Sequence, residues 1–252
     1  MVGQTKKKLI SSLSQKKYRD IHGLFIAEGS KLINDLLTSG MQPELIVTTD
    51  VSHISSDVPD SITEMVSKQE LKKHSFLKTP QNVLGVFKKP VLKFKFGQHS
   101  NQLSLCLDGI QDPGNMGTII RLADWFGMRT IFCSKDTADV FNPKVVQASM
   151  GAIARIEIIY TDLSEFCQKS VNEYNMQVFG TFMDGKNIYS MDLPSSGLIV
   201  MGNEGSGIRP DIEQLVTQRI TIPSFSEGGM ESLNVGIAAA IVCSEFRRGQ
   251  NP

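Results

Sequence analysis

The chain of 252 residues contains no CxxC pair, no GxGxxG or GK[ST] loop, no run of eighteen apolar residues and no histidine beyond His99. Each absence removes a class of function. The four cysteines, Cys106, Cys133, Cys167 and Cys243, are too scattered for a zinc or dithiol site, so each is expected to pack as a small hydrophobe in a reducing compartment. Without a long apolar run there is no candidate membrane span. The basic start, Met1 to Lys8, leads into no apolar stretch of the kind a secretory signal needs, so the expected location is cytoplasmic. The missing dinucleotide fingerprint argues against a nucleotide-dependent oxidoreductase, and no metal site is expected. A composition of 40% hydrophobic residues with 26 basic and 26 acidic side chains excludes disorder.

The zero net charge conceals an asymmetry. Residues 1–100 carry +6 and residues 101–252 carry −6. Lys6, Lys7, Lys8, Lys16, Lys17 and Arg19 face only Asp20 within the first twenty positions, which makes them candidate contacts for a polyanion. A solvated basic arm is the plain alternative.

Two α/β patterns suggest domains at 1–92 and 100–252, joined by a polar, basic stretch from Lys89 to Gln102. The first has short strands at Leu24–Ala27, Leu45–Val47, Ile62–Val66 and Val83–Phe87, with helices at Ser30–Ser39 and Lys68–Phe76. The second alternates near-continuous apolar strands with helices, the mark of a parallel sheet covered on both faces, whose ligands bind beyond the strands' carboxyl ends. Ser232–Arg247 reads as a helix apolar almost all round and therefore buried on every side.

Three polar islands follow apolar strands. The first, Asp108 to Gly117, opens a helix carrying Arg121, with Asn115 placed to cap it. A glycine turn with Arg121 on a solvated face is the alternative. The second, Val200 to Ile208, sets Glu204 among Gly202, Gly205 and Gly207, where backbone can approach a ligand beside a carboxylate. A tight strand-to-helix turn would look similar. The third, Ile222 to Val235, places Ser232 and Asn234 at the mouth of the terminal helix. Ser232 reads as a plain N-cap, whereas an amide among apolar neighbours needs partners.

In order and spacing, Asn115-Met116-Gly117-Thr118-Ile119-Ile120-Arg121, Met201-Gly202-Asn203-Glu204-Gly205-Ser206-Gly207-Ile208, and Ile222-Pro223 with Glu231-Ser232-Leu233-Asn234-Val235 resemble the SpoU (TrmH) family of RNA ribose 2′-O-methyltransferases, in the knotted SPOUT superfamily. The resemblance covers the whole chain. Residues 1–90, with Lys16-Lys17-Tyr18-Arg19 and Phe25-Ile26-Ala27-Glu28-Gly29, look like the small L30e-like substrate-binding domain of many members.

The resemblance implies an S-adenosylmethionine cofactor in a deep trefoil knot, touching Thr181, Gly202, Gly205, Ile208, Ile222 and Leu233. It also implies a homodimer whose Arg121 serves the partner's cofactor. Asn115, Glu204, Ser232 and Asn234 would orient Arg121 and the ribose. The substrate would be ribosomal RNA or, alternatively, transfer RNA; a non-catalytic RNA binder on the same fold is the rival from another class. Arg121 is the family's proposed base, but the tightness with which a guanidinium holds its proton favours a phosphate clamp that also stabilises an alkoxide. Two departures stand out: Gly236 where the family commonly has Ser, and a long glycine-rich segment at Phe225–Met230.

Overall fold

The computed structural model describes residues 2–91, 94–226 and 232–250. Glu231 and the segment from Glu227 to Met230 lie outside them. In chain order the elements are α1 (Gln4–Ser12), α2 (Lys16–His22), β1 (Leu24–Glu28), α3 (Ser30–Thr38), β2 (Pro43–Thr48), β3 (Thr63–Met65), α4 (Lys68–Lys72), β4 (Val83–Lys88), β5 (Leu103–Leu107) and α5 (Pro113–Trp125). They continue with β6 (Thr130–Ser134), α6 (Pro143–Ser149), β7 (Glu157–Thr161), α7 (Leu163–Tyr174), β8 (Val178–Asn187), β9 (Gly197–Met201), α8 (Pro210–Glu213), β10 (Gln218–Thr221) and α9 (Val235–Arg247). No helix of the described residues is long and apolar enough to cross a membrane.

The contacts divide the chain into two compact units. One runs to Val91 and adds Asp139–Arg155; the other holds the residues up to Ala138 and from Ile156 onward. Segment 139–155 thus groups with the first unit, although the sequence suggested the second. In that first unit the sheet order is β1-β4-β2-β3, antiparallel except for the β2–β3 pair. Strand alternation sends Leu24 and Ile26 to one face, where they meet Ile10 and Leu13, and Phe25 to the other, against Phe87 and Phe141.

The basic start is two helices rather than a solvated arm. Arg19, expected at an RNA surface, is only 2% exposed. Its Nη1 donates to the carbonyls of Leu13 and Ser14 at 2.8 Å each, and its Nε and Nη2 donate to Asp139 at 3.0 and 2.5 Å. It is a structural cation that ties the α1–α2 corner to the 139–155 segment. The helix expected at Lys68–Phe76 stops at Lys72. Beyond it, buried Glu28 captures the Ser75 hydroxyl at 2.5 Å and the Phe76 N–H at 2.7 Å, which holds that stretch in a loop.

The second unit has a six-stranded, all-parallel sheet of order β10-β8-β9-β5-β6-β7. One of its cores combines Cys106, Phe132, Val178, Leu198 and Val200 from the strands with Leu163, Phe166 and Cys167 of α7. All four cysteines are free and buried, and burial pushes the Cys243 thiol up to about 12. Part of the expected linker belongs to this unit: Phe94 and Phe96 pack against Phe166, and buried His99 bonds Thr130 Oγ1 at 3.0 Å. In the β8–β10 ladder, Gly180 pairs with Arg219 and Lys186 with Ile220, so residues 181–185 leave the ladder. A Cβ on Gly185 would overlap the backbone of Ile220, so the two segments meet as bare main chain.

Arg19→Ala leaves Asp139 unpaired in a site where its side chain is 12% exposed. Removing one partner of a buried ion pair costs about 3–5 kcal/mol. Urea unfolding followed by circular dichroism should register a loss of that size.

A candidate active site at the carboxyl edge of the second sheet

Because every strand of this sheet is parallel, all carboxyl ends share one edge. β5 leads through α5 to β6 on one side, whereas its other neighbour, β9, leads through α8 to β10 at the far side. The β5–β9 boundary is therefore the point where the winding reverses, and the loops that follow the two strands diverge there, as ligand sites of open parallel sheets require. These loops are the first two polar islands.

Side chains lock them together. Asn203 Nδ2 donates to the Gly109 carbonyl at 2.7 Å, while Asn203 Oδ1 accepts the N–H groups of Gly205 and Ser206 at 2.9 and 3.1 Å. Asp108, 1% exposed, accepts the Arg209 N–H at 2.8 Å and pairs with its guanidinium at 2.5 Å. Burial pulls the Arg209 pKa down, but hydrogen bonding and charge from Asp108 more than offset it, leaving the guanidinium above its ordinary value. Gly207 needs its left-handed φ of +71°, and a Cβ on Gly202 would overlap the backbone of Gly207 and Ile208. Neither Asn203 nor the Asp108–Arg209 pair was anticipated as a site element. Their signal was a lone amide inside a glycine turn and opposite charges at two strand ends.

The third island joins through amides. Asn234 caps α9, its Oδ1 accepting the N–H groups of Gly236 and Ile237 at 2.9 and 3.3 Å. Its Nδ2 donates to Asn115 Oδ1 at 3.0 Å, and Asn115 Nδ2 donates to Glu204 Oε1 at 2.7 Å. The ends of this relay fix its direction. Backbone N–H groups only donate and a carboxylate only accepts, so both amides must point their oxygens toward α9. The positive end of the α9 dipole is thereby linked to Glu204.

Two cap assignments change. Asp112, not Asn115, caps α5, accepting the Asn115 N–H at 2.8 Å, with Pro113 opening the helix earlier than expected. This frees the Asn115 side chain for the relay. Likewise Asn234 rather than Ser232 caps α9, which begins at Val235. Ser232 is exposed at the mouth of that helix.

Arg121 is exposed and has no hydrogen bond or ion pair among the described residues, so it stands apart from the relay. It falls on an outward stripe of α5 with Gly114, Thr118 and Trp125, the last 83% exposed. Helix α9 lies alongside. Thr118 is next to Gly236 at one end, and Arg247 Nε donates to the Phe126 carbonyl at 2.8 Å at the other. Nor is α9 buried on all sides, because Ile237 is 55% exposed. Gly236 eases this contact: a Cβ there would come within 3.2 Å of Asn234 Oδ1 and 3.3 Å of Thr118.

Of the six expected cofactor contacts, five sit in the second and third islands and Thr181 lies on β8; they offer chiefly backbone. Ile208 is buried in the core, and Thr181 Oγ1 is spent on the Val200 carbonyl at 3.0 Å. Gly202 and Ile222 are half-buried, while Gly205 and Leu233 are exposed. A cavity of about 460 Å³ lined by Gln177, Lys186, Asn187, Asp192 and Gln218 shares no lining residue with the islands. Among the described residues no three His, Cys, Asp or Glu side chains cluster as a metal site would need.

This arrangement has known counterparts. Residues 102–244 match the SpoU rRNA Methylase family model. The chain belongs to the SpoU rRNA methylase family. Residues 5–85 of this SpoU chain match the MRM3-like substrate binding domain. It is 30% identical to 23S rRNA (guanosine(2553)-2′-O)-methyltransferase RlmP of Bacillus subtilis over 239 residues, covering 93% of each chain. A TrmH-family protein from Porphyromonas gingivalis superposes with a TM-score of 0.88 at 38% identity, covering 98% of this chain and 99% of that one. The AdoMet-bound rRNA methyltransferase of Sinorhizobium meliloti superposes with a TM-score of 0.85 at 28% identity, covering 100% and 98%.

Replacing Asn234 separates its two tasks. Asn234→Ala removes the cap and should cost about 1 kcal/mol. Asn234→Asp still caps α9 but cannot donate to Asn115, so it should keep most of that stability. Chemical denaturation midpoints of the two variants check this.

Proposed function

We propose that this SpoU-family chain transfers a methyl group from S-adenosylmethionine to a ribose 2′-hydroxyl of ribosomal RNA. The observation that carries the reading is the Asn234–Asn115–Glu204 relay, which gathers three segments of the chain at the winding-reversal point of a parallel sheet. Ribosomal RNA is favoured over transfer RNA by the kind of relative the chain matches at full length.

The residues present fit the cofactor. Gly205 exposes main chain with no side chain to screen it, Leu233 is 46% exposed beside the cap of α9, and half-buried Gly202, Thr181 and Ile222 complete a small, uncharged set. When bound, the cofactor supplies an electrophilic methyl group on its sulfonium. The protein's own task is to hold the hydroxyl and to accommodate the negative charge that grows on it. The exposed Arg121 guanidinium is free to grip a substrate phosphate and stabilise the developing alkoxide. The relay holds Glu204 by one oxygen, and no described residue hydrogen-bonds to the other, which is available to orient the sugar. Positioning of this kind can supply several kcal/mol of rate enhancement.

The separation of Arg121 from its own relay is accounted for by a homodimer in which it serves the partner's site. Exposed Trp125 and Ile237, on the paired helices α5 and α9, support that assembly, since an apolar surface of this kind is normally covered. The close main-chain approach of Gly185 to Ile220 and the buried stripe of α9 (Val235, Gly236, Ala239, Val242, Cys243 and Phe246) support the trefoil knot, and the match to the substrate-binding model supports an RNA-binding, L30e-like first domain.

Arg121→Ala should abolish methyl transfer to ribosomal RNA while isothermal calorimetry shows S-adenosylmethionine affinity within about threefold of the parent. Retained turnover would eliminate both roles given to the guanidinium. Trp125→Asp should yield a monomer by light scattering and lose activity with it. Mapping ribose methylation in cells with and without the protein tests the substrate: one ribosomal site should vanish, and a loss confined to transfer RNA would reassign it.

A further inference from the structure

The lysines that dominate the sequence near the start are largely spent inside the first unit. Lys6 pairs with Glu64 at 2.5 Å, Lys7 with Glu70 at 2.8 Å, Lys16 with Asp20 at 2.7 Å, and Arg19 is buried on Asp139. Lys8 and Lys17 remain. The charge left over lies elsewhere. Lys31, Lys72, Lys73 and Lys78 are all exposed, and among the described residues none has an acidic partner within ion-pair distance.

The topology ties together the segments that carry these four. The segment between α4 and β4 is stapled at two points to the turn between β1 and α3. Glu28 receives Ser75 and Phe76 near its start, and at its end Gly29 donates its N–H to Val83 O at 3.0 Å. Lys72 and Lys73 precede the first staple, Lys78 lies between the two, and Lys31 stands in the first turn of α3, which leaves that same turn. Helix α3 has no acidic residue in its first turn and no side-chain cap. A lysine at the positive end of a helix is placed against the dipole, an arrangement that an external anion relieves. Burial raises the Glu28 pKa, opposed by its two hydrogen bonds, so a costly carboxyl is retained to hold this loop.

We propose that the first unit grips RNA phosphates through the end of α4, the loop from α4 to β4 and the first turn of α3, using Lys31, Lys72, Lys73 and Lys78 rather than the basic stretch at 6–19. This deepens the ribosomal RNA reading and rests on it for the identity of the polyanion. Phosphate contacts of this type set affinity and salt dependence without reading sequence.

The test uses the full chain and protein-free 23S rRNA transcript, with filter binding across a salt series. Changing all four patch lysines to Gln should lower affinity at least tenfold and reduce the slope of log K against log salt by about three. The quadruple Arg variant should restore both. Changing Lys6, Lys8, Lys16 and Lys17 to Gln should alter affinity less than threefold. Thermal melting and S-adenosylmethionine calorimetry on each variant distinguish a lost surface from a lost fold. Equal binding by patch variant and parent, an equal loss in the 6–17 variant, or no binding of the transcript by the parent would each overturn the proposal. If the patch variant loses binding but the parent methylates no RNA, the surface stands and the methyl-transfer reading falls.

Discussion

The second unit depends on a requirement of hydrogen bonding: buried or half-buried donors and acceptors must find partners, and here they find them in one another across the sheet edge. Asp108 is nearly inaccessible, yet it sits at the end of a central strand. Arg209 arrives from the neighbouring loop to neutralise it, and in doing so fixes where the glycine loop begins its return. Asn203 performs the same service with an amide. With those anchors in place the loop carries Glu204 outward at a fixed position, and the amides of Asn115 and Asn234 complete the link to α9. Remove the anchors and the glycines that permit close approach would also permit wandering.

Much of this was visible in residue order. The alternation of apolar strands with helices announced a parallel sheet, and the polar islands stood at strand ends where such sheets place their ligands. Asn115, Glu204 and Asn234 could be singled out because a polar side chain beside glycines or at the head of an apolar helix needs a reason. What could not be seen was who satisfied whom. Asp112 took the α5 cap because an acid followed by proline is already shaped for it, which released Asn115. That choice is settled by competition between neighbours, and only three-dimensional placement decides it.

Charge was harder to read than hydropathy. A run such as Lys6-Lys7-Lys8 looks like a surface because sequence shows a cation without its partner, and Glu64 and Glu70 lie some sixty residues away. Arg19 was the extreme case: a guanidinium offering five donors in a rigid fork can hold two carbonyls and a carboxylate at once, so it serves as a buried rivet. Aromatic residues misled in the opposite sense. Phe94, Phe96 and His99 sit among lysines and glutamine, and their neighbours' polarity hid a cluster that caps one end of a core.

The relay joins positions separated by 89 and 119 residues along the chain. Contacts of such span are the slowest to close, because a long loop must surrender its freedom before any reward arrives. During refolding, local helices therefore precede it, and competence for catalysis is acquired late. Turnover in this molecule is a gauge of completed topology, whereas spectroscopic helix content is satisfied earlier.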